Sequence, residues 1–139
     1  MTREQRYHSA RRWVLALLAG AAAWRRWGPF VVAVDGQSMA PALLPGDFVV
    51  ALRRGRVRRG AVVVVALPGR PGFELVKRIT AGPGQRVGER VLGSGQWWVE
   101  GDRPGASTDS RSFGPVPAGS VRGVVVVRYW PPSRAGRIR

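Results

Sequence analysis

Short strand-like segments separated by glycine and proline set the strongest limit on what this chain can fold into. Segments of five to nine residues, most of them rich in valine, lie at 30–34, 48–52, 61–67, 73–79 and 121–129. Turn-forming residues stand between them, and the 139-residue chain holds 19 glycines and 11 prolines. Short β-branched runs bounded by turn signals are typical of strands, and this length suits one hydrophobic core. The sequence therefore predicts a single, mainly β domain.

Two of the turn clusters predict hairpins. The Pro-Gly-Arg-Pro-Gly turn at 68–72 leads into residues 73–79, which are expected to return antiparallel to residues 61–67. A second hairpin is expected between 86 and 100, around the Gly-Ser-Gly turn at 93–95, with two tryptophans in its return strand.

The two ends of the chain differ from this core. Residues 1–12 are polar and basic, and the twelve apolar residues 13–24 carry tryptophans at both ends with arginines beyond them. As a helix these twelve residues would rise about 18 Å, which is less than the roughly 30 Å hydrocarbon core of a membrane. We expect residues 1–29 to form a basic arm and a short apolar helix that anchors the protein to the cell membrane. A signal-peptide-like segment, or a helix packed on a cytoplasmic domain, is the alternative. The basic tail 131–139 is predicted to be disordered.

Composition excludes several classes of site. The chain has no cysteine, so it holds no disulfide or thiolate metal site, and its one histidine, His8, lies in the basic arm. A serine-histidine-aspartate triad and a zinc site are therefore not expected, and no cofactor or metal is predicted. The formal net charge of +15 comes from arginines spread along the chain. That spread fits a solvated surface or an anionic membrane surface better than a nucleic-acid partner, which we do not expect.

Lys77 is the one lysine among 23 lysines and arginines. Lysine can lose its proton in a protein, whereas arginine cannot. On an extended backbone Lys77 shares a face with Phe73, Leu75 and Ile79, so its amine would lie in an apolar row. Burial of this kind lowers a lysine pKa and supplies a neutral base. The hypothesis is that Lys77 is a general base; a lysine snorkelling from a sheet edge is the alternative.

Ser38 stands on a predicted loop just after the strand-like segment 30–34, and the prolines at 41 and 45 rigidify the backbone that follows it. The polar loop 101–117 holds a second serine and an aspartate/arginine pair. A serine, a neutral lysine and such a loop can perform acyl transfer without histidine. Working near neutral pH would require the lysine pKa to fall by about 2 to 3 units.

Four motifs in this order resemble the type I signal peptidase family. Residues 38–49 follow the Ser-Met-x-Pro-x-Leu-x-x-Gly-Asp-x-Val pattern of its serine box, and residues 59–64 resemble the next box. Residues 77–79, followed by the Pro-Gly at 83–84, resemble the lysine box, and residues 101–111 resemble the last box. The resemblance implies an antiparallel β peptidase domain over residues 30–130 that cleaves an extended peptide after small residues.

The resemblance also implies roles for individual residues. Ser38 would be the nucleophile and Lys77 the general base, with the oxyanion held by the backbone N–H groups of Ser38 and Gly36. Some members carry a serine at the position of Gly36, whose hydroxyl helps to hold the oxyanion. The supporting residues would be Ser107, which orients the lysine amine, Asp109 and Arg111, which form an ion pair, and Asp102, which belongs to the turn that shapes the site. The chain departs from the family at turn positions, with Ala61, Gln85 and Arg103 where aspartate or asparagine is frequent.

Only 23 residues separate Lys77 from Gly101, so the large inserted subdomain of the bigger bacterial signal peptidases is missing. This compactness, together with residues 96–102, residues 107–117 and the Arg-Tyr-Trp-Pro at 128–131, makes the chain most similar to the nickel-type superoxide dismutase maturation proteases, and this resemblance implies the dismutase precursor as substrate. Two other functions remain open. One is a self-cleaving repressor-type peptidase, although residues 1–29 are too few for a helix-turn-helix domain. The other is a non-catalytic basic β module that binds nucleic acid or membrane.

Overall fold

The computed structural model describes the backbone of residues 3–139 and the side chains of residues 12–139. The expectation for His8 concerns a side chain outside that range. The strands are β1 (Pro29–Ala33), β2 (Phe48–Leu52), β3 (Val62–Ala66), β4 (Glu74–Ala81), β5 (Arg86–Val87), β6 (Arg90–Val91), β7 (Gln96–Glu100), β8 (Val116–Pro117), β9 (Val121–Trp130) and β10 (Gly136–Arg137). The helices are α1 (Arg3–Trp27) and α2 (Ser110–Phe113), with 3-10 turns at Pro104–Ala106, Ala118–Ser120 and Pro132–Arg134.

Eight of these strands form one sheet in the order β1-β2-β9-β3-β4-β7-β8, in which β10 pairs with β9. Every pairing is antiparallel, and β5 and β6 form a separate two-stranded sheet. The prediction of a mainly β, antiparallel fold is confirmed. The long strand β9 lies between β2 and β3, so it joins strands β1 and β2 to the β3–β4 hairpin, whose second strand carries Lys77.

One predicted hairpin is confirmed and the other is wrong. Strands β3 and β4 pair in register from Val62 opposite Arg78 to Ala66 opposite Glu74. Between 86 and 100, however, β5 pairs with β6, and β7 pairs with β4 and β8. Pairing with β4 sets Val99 opposite Ile79, and both side chains are fully buried. The apolar area removed from water therefore favours β4 as the partner of β7.

The valine strand β3 is buried on both faces, which explains its continuous apolar sequence. Val64 belongs to a core cluster with Met39, Leu43 and Val49. Val63 on the opposite face belongs to a second cluster, whose buried members are Val63, Val65, Ile79, Val99 and Val116. Successive residues of a strand point to opposite faces, so the sheet has a core on each side of β3.

Helix α1 lies where the apolar helix was predicted, but its predicted length is wrong. It is one helix of 25 residues, because the arginines that flank the apolar run are themselves good helix formers and the first proline is Pro29. Its side chains from residue 12 to residue 27 are all exposed. Within the described residues, no helix combines the length and the apolar character that crossing a membrane requires.

The prediction of a disordered C-terminal tail is wrong. Residues Pro132–Arg134 form a 3-10 turn and β10 pairs with β9, with Gly136 opposite Arg128. Ile138 packs against the core cluster that contains Met39 and Leu43. The segment is polar and basic in sequence, but its backbone hydrogen bonds and this one apolar contact hold it on the domain.

Candidate active site

Lys77 lies on β4 opposite Val63 of β3, and only 2% of it is exposed. Burial lowers the pKa of its amine from the ordinary value of 10.5; the nearby Asp109 carboxylate raises the pKa in part, and Arg111 lowers it further. The predicted apolar face is confirmed for Lys77 and Ile79, while Phe73 lies exposed outside the strand. A snorkelling lysine would keep its head group in water, so the buried amine favours the base hypothesis over that alternative.

Ser38 lies on the loop between β1 and β2 and meets Lys77. The lysine Nζ donates a hydrogen bond to Ser38 Oγ across 2.6 Å. If the amine is neutral, its lone pair can instead accept the hydroxyl proton at the same distance. The two residues are 39 positions apart in the chain, and the fold brings these two predicted site residues into contact.

Buried side chains and a backbone hydrogen bond anchor the Ser38 loop. Met39 and Leu43 are buried in the core, and the Leu43 N–H donates to the Met39 carbonyl oxygen at 2.9 Å. The Ser38 carbonyl oxygen accepts from the Arg103 N–H at 2.9 Å. The serine is therefore held by side chains below it and by the 101–103 backbone beside it.

Gly101 stands at the closest approach of the two site loops. A Cβ at this position would lie 2.6 Å from the Ser38 carbonyl oxygen and would also collide with the Ser107 side chain. Real Cβ atoms do not approach backbone oxygens this closely, so only glycine lets the two loops meet.

Asp109 is fully buried and organises the second loop. Its carboxylate accepts from the Arg111 side chain, from the Gly101 N–H at 2.9 Å and from the Ser107 hydroxyl at 2.5 Å. Burial alone would raise the pKa of Asp109, but these hydrogen bonds outweigh it and hold the pKa well below the ordinary value of 3.8. The charged carboxylate of Asp109 therefore stabilises the folded protein at pH values above 3.8. This stabilisation is lost progressively as the pH falls below 3.8 towards the lowered pKa of the folded state.

The predicted Asp109–Arg111 ion pair is present, with Arg111 partly exposed. Ser107 is in the same cluster, but its hydroxyl donates to Asp109. Its expected role in orienting the amine of Lys77 stays a prediction, since an oxygen that donates to Asp109 can still accept from an amine.

An ion pair between Arg78 and Asp102 was not expected from the sequence. Arg78 Nε and Nη2 donate to the two carboxylate oxygens of Asp102, each at 2.8 Å. The pairing of β4 with β7 sets Arg78 opposite Glu100, two residues before Asp102. Only that register brings the two charges together, and the sequence had predicted a different partner for β7. Through this ion pair, Asp102 connects β4, which carries Lys77, to the 101–103 backbone, which donates a hydrogen bond to Ser38.

Gly36 lies three residues after β1 with a φ of 80°. Residues other than glycine rarely adopt this left-handed conformation, so the serine found here in some signal peptidases would be strained in this backbone. Its expected backbone role in holding an oxyanion stays a prediction.

A pocket of about 120 Å³ opens at the serine and lysine. Its walls are the end of β1 with the residues after it (32–35) and the first half of β4 (74–77), together with Ser38 and Val64. Strand β1 is the edge of the sheet, and β7 pairs only with the second half of β4. Both walls therefore present backbone that has a strand partner on one side only. In the described part of the chain, no cluster of histidine, aspartate and glutamate is arranged to hold a metal ion.

Comparisons with known proteins show the family to which the chain belongs. The family model described as "Signal peptidase, peptidase S26" matches residues 7–93 and 87–130. The Arabidopsis thaliana mitochondrial ATP-independent inner membrane protease subunit 1a is 38% identical over 123 residues, which are 76% of this chain and 73% of that protein. The Danio rerio mitochondrial inner membrane protease subunit 2 is 38% identical over 78% of this chain and 68% of its own length. The human subunit 1 is 32% identical over 78% and 74%.

Proposed function

Because the chain belongs to the signal peptidase family, peptidase S26, we propose that it is a serine endopeptidase with Ser38 as nucleophile and Lys77 as general base. The observation that carries the proposal is the 2.6 Å contact between the Ser38 hydroxyl and the amine of a buried lysine. A buried amine beside a hydroxyl is the arrangement in which lysine replaces histidine as the base.

In the proposed reaction the neutral Lys77 amine takes the Ser38 proton as Oγ attacks the carbonyl carbon of the scissile amide. The negative charge moves to the carbonyl oxygen, where the backbone N–H groups of Ser38 and Gly36 would stabilise it. The C–N bond then breaks, and the protonated Lys77 returns the proton to the leaving amine. A water molecule, deprotonated by Lys77, hydrolyses the ester on Ser38 and regenerates the free serine.

The lowered pKa of Lys77 is what makes this chemistry feasible near neutral pH. An amine with the ordinary pKa of 10.5 is neutral in only about one molecule in a thousand at pH 7.5, and each unit of lowering raises that fraction about tenfold. Burial lowers the pKa, whereas the Asp109 carboxylate holds the lowering in check. The protonated form can thus still exist when the leaving amine needs a proton.

The substrate we propose is an extended peptide, a leader or propeptide cut after a small residue. A peptide lying between the two pocket walls could pair with the free backbone edges of β1 and of residues 74–77, which is how sheets recruit an extended ligand. The pocket of about 120 Å³ leaves room for small side chains beside Ser38. The resemblance to the compact nickel-type superoxide dismutase maturation proteases points to a nickel superoxide dismutase precursor as the specific substrate.

We also propose that the protein works at a membrane surface. The similar proteins of plants, fish and humans are named as inner membrane proteases. Helix α1 exposes Trp13, Leu17 and Trp24 to solvent, and arginines lie at both ends of its apolar run. An exposed apolar helix with flanking cations suits an anionic membrane surface.

The test is cleavage of precursor peptides by the wild type, Ser38→Ala and Lys77→Arg. One peptide carries the leader of a nickel superoxide dismutase, and a second carries an export signal with small residues before its cleavage site. Both variants should lower kcat/KM by more than about 10³-fold, since a nucleophile and its base act as one unit. Ser94→Ala, an exposed serine in a turn, should cleave like the wild type. Unchanged cleavage by either dyad variant would refute the mechanism, and the preferred peptide decides the substrate.

A further inference from the structure

The C-terminal segment 131–139 contacts both parts of the domain that carry the serine and the lysine. It touches the loop between β1 and β2 that carries Ser38 through Arg134, and the strand that carries Lys77 through the main chain of Arg139. We propose that this segment is a clamp that holds the Ser38 loop against the Lys77 strand, with Arg134 as a positioning residue for the reaction. The proposal rests on the peptidase function proposed above.

The first contact of the clamp is with Asp47, at the far end of the Ser38 loop. Asp47 is 2% exposed, and its Oδ2 accepts from the guanidinium of Arg134, from Arg128 at 3.2 Å and from the Leu44 N–H at 2.9 Å. A buried carboxylate requires such partners, because an ion removed from water is strongly destabilised unless it is paired and hydrogen-bonded. Arg134 therefore meets a charge that the fold must neutralise.

Arg128 of β9 connects the clamp to the middle of the same loop. Its Nη1 donates to the Ala42 carbonyl oxygen at 2.8 Å, and its Nε donates to the Arg134 carbonyl oxygen at 2.5 Å. One guanidinium thus bonds the Ser38 loop, the buried carboxylate of Asp47 and the backbone of the clamp. The planar guanidinium, with donors in a fixed fork, suits this three-way contact better than an ammonium group.

The second contact of the clamp is with the lysine strand. Arg78, the residue after Lys77, donates from Nη1 to the Arg139 main-chain oxygen at 2.8 Å, while its other nitrogens hold Asp102. Between the two contacts, Ile138 packs on the core under the Ser38 loop, and its N–H donates to the Val126 carbonyl oxygen at 3.2 Å. The segment therefore reaches from the loop that carries Ser38 to the strand that carries Lys77.

The contacts of the clamp lie outside the pocket walls. Those walls are formed by residues 32–35 and 74–77. Residues 32–33 pair with β2 and residues 74–77 pair with β3, and the Val34 N–H donates to the main-chain oxygen of Asp47, whereas Arg134 meets the side chain of Asp47. Loosening the clamp should therefore move Ser38 relative to Lys77 while leaving the peptide-binding backbone in place. The expected signature is a loss in kcat with little change in KM, because misplacement of a reacting group by about 1 Å can cost 10²-fold in rate.

The experiment compares Arg134→Gln with Arg137→Gln, an exposed arginine of the same segment. Arg134→Gln should lower kcat by about 10- to 100-fold with KM within about twofold. Arg134→Lys should recover part of the loss, since an ammonium group can still donate to Asp47. Arg137→Gln should match the wild type. Rates are measured well below the thermal midpoint of each variant, which circular dichroism determines.

A purely structural role predicts something else, namely a lower thermal midpoint with the wild-type kcat at low temperature, and that result would overturn the proposal. If Arg134→Gln yields no folded protein, Ile138→Ala decides instead, because it loosens the clamp without removing a partner of the buried Asp47 carboxylate. Its kcat should fall while KM holds, and an unchanged kcat would overturn the proposal. A wild type that cleaves no peptide would refute the proposed peptidase function, whereas an active wild type with a fully active Arg134→Gln refutes the clamp alone.

Discussion

Ser38 and Lys77 meet at 2.6 Å, yet they are held in place by different kinds of structure. Lys77 lies on β4, where the pairing with β3 continues from Glu74 to Arg78. Ser38 lies on a loop whose contacts come from distant segments, among them the Arg103 N–H and the close approach of Gly101. A ladder of backbone hydrogen bonds between β3 and β4 holds Lys77 in place, whereas a few specific contacts hold Ser38.

The difference between these two regions implies that they should fail in different ways. Substitutions near β4 should lower the free energy of unfolding, because the hydrogen bonds between β3 and β4 form together or not at all. Damage near the loop should cost rate, because the loop can shift without unfolding the sheet. Two substitutions separate these outcomes.

Gly101→Ala should cause the larger loss of kcat. The added methyl group would lie 2.6 Å from the Ser38 carbonyl oxygen and would collide with Ser107, so the two loops must separate. We expect kcat to fall about 100-fold, with a stability loss of about 1 to 3 kcal/mol from overpacking. Steady-state cleavage of the precursor peptide and urea denaturation measure the two quantities.

Gly105→Ala is the matched control for this change. Gly105 belongs to the same loop, and a Cβ there meets nothing within 4 Å. It should retain wild-type rate and stability. A Gly101→Ala protein that remains as active as Gly105→Ala would contradict the loop contact as the device that positions Ser38.

Val63→Ala should have the smaller effect on rate and a clear effect on stability. Val63 is fully buried and pairs with Lys77 across the hairpin. Removing its methyl groups should cost about 2 kcal/mol, from lost burial and the remaining cavity. Because the backbone ladder still positions Lys77, kcat should fall by less than about tenfold, or 1.4 kcal/mol. A large loss of kcat with unchanged stability would show that the β3–β4 ladder does not position Lys77 more firmly than the loop contacts position Ser38.

The same difference explains which features could be predicted from the sequence. The strand segments, the β3–β4 hairpin and the apolar face of Lys77 follow from local patterns of valine and turn residues, and the structure contains them. Lys77 stood out as the one lysine of the chain on an apolar face and Ser38 by its place on a loop followed by prolines, and the resemblance of short motifs joined them as a pair. Their contact lies between segments that no local pattern joins.

Features that depend on long-range register were missed. The pairing of β7 with β4 decides that Arg78 meets Asp102, and the turn at 93–95 pointed to another partner. The C-terminal segment is basic and short, so its sequence is typical of disorder, but Arg134 meets the buried carboxylate of Asp47. Buried ion pairs between distant segments leave no periodic signal in a sequence.

The most direct test of the proposed mechanism is the pKa of the Lys77 amine. Lys77 is the only lysine in the chain, so protein labelled with ¹³C at lysine Cε gives a single side-chain lysine signal. Its chemical shift, followed by NMR as the pH is raised, reports the titration of this amine alone, and the urea-unfolded protein supplies the reference. The mechanism predicts a midpoint clearly below the ordinary 10.5 in the folded protein, because burial disfavours the charged form. A midpoint at or above 10.5 would contradict Lys77 as a neutral general base.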